Sequence, residues 1–162
     1  MNSKIISAYL SVLGLSFFLH AMKPGAPYFS LLPLLMLIFP LAVGHRVKLT
    51  FSLQDFSLGL VVSLIVLLPY YLLFGGTGKT ITLYALIFQI LAVSLPEEFF
   101  FRGFLQDSIG KSFRAVFLVS LLFSLAHLPK AIFMGEWISL LSFFPSLIMG
   151  WLYMRTNNIL PG

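Results

Sequence analysis

The chain has 162 residues, of which 59% are hydrophobic, 16% aromatic and only 9% charged, with a mean hydropathy of +1.01. A soluble domain carries about 25% charged residues, so this composition cannot cover a water-facing surface and points to an integral membrane protein. There is no cysteine, which excludes a disulfide framework, Cys-ligated zinc and a thiol nucleophile, and the net charge of +5 is scattered singly between apolar runs, a pattern of membrane topology and not of nucleic-acid binding.

A helical span needs about 20 mainly apolar residues to cross roughly 30 Å of hydrocarbon. Six apolar segments follow one another, predicting an all-α, polytopic transmembrane helical bundle of about six spans, with residues 1–162 forming one domain. The first covers residues 5–22 and ends at Lys23-Pro24-Gly25-Ala26-Pro27, a loop. It lacks a small-x-small cleavage site followed by a soluble chain, so it reads as a retained span and not a signal peptide. The second covers 28–43, contains Pro33 and Pro40, and closes at Gly44-His45-Arg46-Val47-Lys48. The third covers 56–74 and ends at Gly75-Gly76-Thr77-Gly78-Lys79-Thr80. That stretch lacks the four-residue spacing of a phosphate loop and the α/β unit around it, so it reads as a turn. The fourth covers 81–95, the fifth 113–128 and the sixth 137–154, before Arg155-Thr156-Asn157-Asn158.

Basic residues orient such a bundle. With the N-terminus in the cytoplasm, Lys4, Arg46, Lys48, Lys111, Arg114 and Arg155 fall on the cytoplasmic side, against Lys23, Lys79 and Lys130 opposite. The excess favours an N-terminus-in, multi-pass protein, expected in a bacterial cytoplasmic membrane.

Few charges are available, yet three gather in Pro96-Glu97-Glu98-Phe99-Phe100-Phe101-Arg102-Gly103. On a helix Glu98 and Arg102 are i and i+4 in the favourable order, and a guanidinium can hold a carboxylate in two contacts. Glu97 is turned by about 100° from Glu98 and shares its face with Phe101. With no local counter-ion, Glu97 is a candidate general base. Ionisable groups inside a membrane protein are costly and mark function. A plainer reading is a capping box, Ser94-x-x-Glu97 with Pro96 near a helix start, and a surface pair Glu98–Arg102 at the membrane boundary. It leaves unexplained why two acids stand together. A second constellation is Phe123-Ser124-Leu125-Ala126-His127, with Phe123 one turn before His127 on the same face. If the fourth and fifth spans pack side by side, Glu97 and His127 share one water, an arrangement that activates it.

Glu97-Glu98-x-x-x-Arg102-Gly103 followed by Phe123-x-x-x-His127 resembles the CPBP intramembrane protease family, which includes CAAX prenyl endopeptidases of the Rce1 type and bacterial Abi proteins. The resemblance covers residues 83–162. It implies an intramembrane glutamate-type endopeptidase that hydrolyses a peptide bond in a membrane-associated protein or peptide, with Glu97 as general base and His127 helping to hold the water. Glu98, Arg102 and Phe123 would support them. Membrane lipid and a substrate with a hydrophobic or lipidated C-terminal tail would be its partners, in a cavity lined by Phe100, Phe101, Phe104 and Phe123. No cofactor is expected to be required, although Glu97 and His127 are legitimate zinc ligands. The family's further His-x-x-x-Asn or His-x-x-x-Asp motif, read as the oxyanion-stabilising pair, is missing: no histidine follows His127. Three readings stay open at that point: a chain truncated at its C-terminus, a short subfamily with donors elsewhere, or a protein that binds without cutting. Asn157, Asn158 and Ser124 are candidate substitute donors. The alternatives to an enzyme are an inactive membrane scaffold or immunity protein, and a transporter component with a buried proton relay.

Overall fold

The computed structural model describes residues 3–23, 26–74 and 82–161, and every regular element among them is helical. Helix α1 is Ser3–Met22. A 3₁₀ turn, Ala26–Ser30, leads into α2, Leu31–Ala42, and α3 is Leu53–Phe74. Helix α4, Leu83–Ile109, carries the double-glutamate motif. Helices α5, Phe113–Ala126, and α6, Leu128–Met134, form one apolar run bent at His127. A 3₁₀ turn, Trp137–Ser142, precedes α7, Phe143–Thr156.

Among the described residues four helices are long and apolar enough to cross a bilayer: Ser3–Met22, Leu83–Ile109, Phe113–Met134 and Trp137–Thr156. Two apolar stretches, Tyr28–Ala42 and Leu53–Val66, are shorter. The protein is thus a polytopic helical bundle. Its outer faces are apolar: Leu60, Leu64 and Ile65 on α3, and Leu83, Ile87 and Leu91 on α4, are exposed, as acyl chains require. The glycine-rich stretch 75–80 lies outside the described residues, as do Pro24 and Gly25 of the first loop.

The fourth segment differs from its expected form. It does not end at residue 95 but runs unbroken through the motif to Ile109. Thr82 caps its start, accepting from the Ala85 N–H at 3.2 Å. Ser94 has ordinary helical dihedrals (φ −64°, ψ −45°) and makes no capping hydrogen bond, so the capping-box reading of Ser94 and Glu97 is wrong. Pro96 lacks the N–H that an interior α-helical turn uses. The backbone passes it because Gln89–Ser94 and Phe99–Gln106 are wound as wider π turns, a feature common at functional sites.

The second half of α4 is the centre of the molecule. Phe100 to Gln106 are buried without interruption, as expected of a helix surrounded on all sides. Ile5, Tyr9 and Val12 of α1, Met36 of α2, and Val119 and Phe123 of α5 pack on it. The Tyr9 hydroxyl donates to Leu122 O at 2.9 Å, tying α1 to α5. Three polar rungs tie α4 to α7: Arg102 to Ser146, Gln106 Nε2 to Gly150 O at 2.8 Å, and the Tyr153 hydroxyl to Asp107 Oδ1 at 3.1 Å. His45, just beyond α2, donates from Nε2 to Gly103 O at 2.8 Å and lies 3.4 Å from Asp107 Oδ2. The chain can pass this close because residue 103 is glycine; a Cβ there would collide with the Val47 side chain.

Candidate active site

The two glutamates face different surroundings. Glu98 is buried and forms an ion pair with Arg102, Oε1 to Nη1 at 3.4 Å. Arg102 is fully buried. Its second amino group donates to Ser146 Oγ at 3.0 Å and to Ser146 O at 3.2 Å, and its guanidinium lies 5.0 Å from the centre of the Phe123 ring. The boundary-pair reading therefore fails, because both partners sit inside the bundle. The contact with the carboxylate is through one amino group and not the two-contact fork that the sequence allows; the other amino group is turned to α7. A buried charge pair of this kind is stabilised by further hydrogen bonds; Ser146 supplies two to one amino group, while among the described residues Glu98 Oε2 and Arg102 Nε and Nη1 have no hydrogen-bond partner.

Glu97 is half-buried and lines a cavity of about 450 Å³. His127 lines the same cavity, as do Phe101 and Ala126. Its wall is otherwise mostly apolar, drawn from α1, α2 and the first part of α4, and includes Val12, Met36, Phe88 and Val93. Lys130 also reaches it, while pairing with Glu136 at 2.7 Å.

His127 sits where α5 ends and α6 begins (φ −88°, ψ −5°). The bend arises because Pro129 is the second residue of α6, where its missing N–H does no harm. The Nδ1 of His127 is 2.9 Å from Phe123 O. A carbonyl oxygen can only accept, so Nδ1 carries the hydrogen, and Nε2 of the neutral ring is left as an acceptor. Phe123 sets the ring from the other side. Its centre is 4.9 Å from His127 and 4.9 Å from Phe101, edge-on to the latter. A stack of Arg102, Phe123 and His127 thus connects the ion pair to the cavity.

Other candidates are placed elsewhere. Of the four phenylalanines expected around the cavity, only Phe101 lines it; Phe100, Phe104 and Phe123 belong to the core between α1, α4 and α5. Asn157 and Asn158 do not line it either. Asn157 takes the left-handed conformation (φ +53°) that ends α7. Asn158 is buried, and its side-chain amide donates to Thr50 O at 2.5 Å and to Asp55 Oδ2 at 3.3 Å. It joins the end of α7 to the start of α3, so its donors are not available as an oxyanion pair. The Ser124 hydroxyl donates to Leu140 O at 2.7 Å. Among the described residues no group of three or more His, Cys, Asp or Glu side chains is arranged to hold a metal ion.

One cavity residue escapes the sequence reading. His20, near the end of α1, is buried and lines the cavity with Glu97 and His127. Its signal was its position, a histidine on the inward face of an otherwise apolar span.

Residues 79–162 match the family described as type II CAAX prenyl endopeptidase, Rce1-like. The chain belongs to this family. No curated protein matches the chain, and no solved structure matches it. The Rce1-like segment holds Glu97, Glu98, Arg102, Phe123 and His127, whereas Val12, His20 and Met36 in the cavity wall come from helices that precede it.

Proposed function

We propose that this Rce1-like protein is an intramembrane endopeptidase that hydrolyses a peptide bond in the C-terminal tail of a membrane-associated protein or peptide. The observation that carries the proposal is that Glu97 and His127 line one largely apolar cavity. A water between them can donate one hydrogen to the Glu97 carboxylate and one to His127 Nε2, leaving an oxygen lone pair for the scissile carbonyl carbon. Glu97 takes the proton as the C–O bond forms and returns it to the nitrogen as the C–N bond breaks. Glu98 does not compete as base, because Arg102 holds it in an ion pair. Walls of phenylalanine, valine and methionine keep bulk water out, which strengthens the polar contacts inside. The water is activated by these two residues, without an obligatory metal.

A cavity of this size suits an apolar or lipidated tail. We place the protein in a bacterial cytoplasmic membrane; the distribution of lysine and arginine supports an N-terminus in the cytoplasm. The test is cleavage of tail peptides by the purified protein in lipid. Glu97→Gln lowers the rate about 100- to 10,000-fold, the range for losing a general base, with the bundle still assembled. Undiminished cleavage by that variant refutes the proposal.

A further inference from the structure

We propose that His20 is a substrate-binding residue of this site, accepting a hydrogen bond through Nε2 from the N–H of the scissile peptide. The inference rests on the endopeptidase reading above and deepens it. His20 is buried, and its ring is fixed on two sides. Nδ1 lies 2.8 Å from Ser16 O, and the Phe29 ring stands edge-on to it with centres 5.1 Å apart. Again the carbonyl can only accept, so Nδ1 carries the hydrogen and the neutral ring offers Nε2 as an acceptor. This repeats, on a different helix, the arrangement of His127 and Phe123 O: each ring is held by the carbonyl four residues before it. Both rings line the same cavity.

The chemistry decides what His20 can bind. A neutral imidazole that donates from Nδ1 cannot give a hydrogen bond to a developing oxyanion, so a role as oxyanion donor does not fit. It can receive one. Glu97 and His127 together accept hydrogen bonds from both hydrogens of the water, and only Glu97 takes a proton. The remaining hydrogen at the reaction centre is the peptide N–H, and His20 Nε2 is a ring acceptor of this cavity not engaged by the water. A bond from it to His20 fixes the nitrogen where it receives the proton from Glu97. His20 itself neither gains nor loses a proton over the cycle.

The test compares two synthetic tail substrates of the same sequence, one with the scissile amide and one with an ester oxygen in place of its N–H. His20→Ala removes the acceptor. His20→Asn keeps a donor for Ser16 O, but its shorter side chain places no acceptor at the Nε2 position. Both variants lower kcat/KM for the amide on the order of 10- to 100-fold, the cost of leaving a buried N–H unmatched, and leave the ester within about twofold. A loss of equal size on both substrates assigns His20 to structure and overturns the inference, as does full activity of His20→Asn on the amide. Binding supplies a second readout. In a Glu97→Gln background, His20→Asn weakens capture of the uncleaved amide peptide but not of the ester; equal effects on both again overturn it. If Glu97→Gln still cleaves, the base assignment falls whatever His20 shows. If wild-type protein neither binds nor cleaves either substrate, both proposals fall.

Discussion

Replacing Arg102 with methionine isolates the contribution of the buried ion pair. Methionine occupies the volume of the arginine stem and keeps contact with the Phe123 ring through sulfur. It leaves Glu98, 6% exposed, without its cation, and Ser146 without two donated bonds. Breaking a buried pair from one side costs about 3–5 kcal/mol, and the two bonds to Ser146 add about 1 kcal/mol each. Arg102→Met is therefore expected to lose about 5 kcal/mol or more, enough to unfold many proteins of this size. The double variant Glu98→Leu, Arg102→Met removes both charges, and an apolar pair of similar volume recovers most of the loss. Reversible unfolding in lipid bicelles measures all four corners of the cycle. A coupling energy above about 2 kcal/mol is the expected result. Should the double variant be as unstable as the sum of the single ones, Glu98 and Arg102 do not stabilise one another and the reasoning fails.

Gly103→Ala drives a methyl group into Val47; overpacking of this kind costs about 1–3 kcal/mol, and adding Val47→Ala restores stability in the same unfolding measurement. Asn158→Ala removes the bonds to Thr50 and Asp55, so stability falls by about 1–3 kcal/mol while the rate constant of the surviving folded protein is unchanged; a selective fall in kcat would return Asn158 to the chemistry. Phe123→Ala opens a hole among Phe101, Arg102 and His127, costing about 3–5 kcal/mol and lowering kcat more than it raises KM, whereas Phe123→Leu retains most of the stability.

The composition and the six apolar runs made the helical bundle legible, because hydrophobic length is a one-dimensional property. The Glu98–Arg102 pair was legible for a similar reason: spacing on a helix decides which side chains can meet. Where α4 begins and ends was not. Ser94, Pro96 and Glu97 are the residues that start a helix in water, but here the helix continues on both sides of them, with π turns at Gln89–Ser94 and Phe99–Gln106 accommodating the proline. The cavity walls were equally hidden. Phe100, Phe101 and Phe104 are chemically alike, and only the packing of α1 and α2 decides that one faces the cavity and two face the core. His20 and Asn158 show the same limit from opposite sides. One stands 77 residues before Glu97 in the numbering and still shares its cavity, and the other carries the right amide but is engaged with Thr50.

The cavity is built from two sources. Its acid and one imidazole come from the Rce1-like segment, while Val12, Phe29, Leu32 and Met36, which shape the space beside them, come from the N-terminal helices. The N-terminal helices thus complete a cavity whose acid lies on the Rce1-like segment. On the proposed reading, an exchange of the first two helices between such proteins changes the space that receives the tail and, through His20, the cutting step as well. On the proposed endopeptidase reading, drift in that N-terminal half reshapes the space beside Glu97 without any change at Glu97 itself.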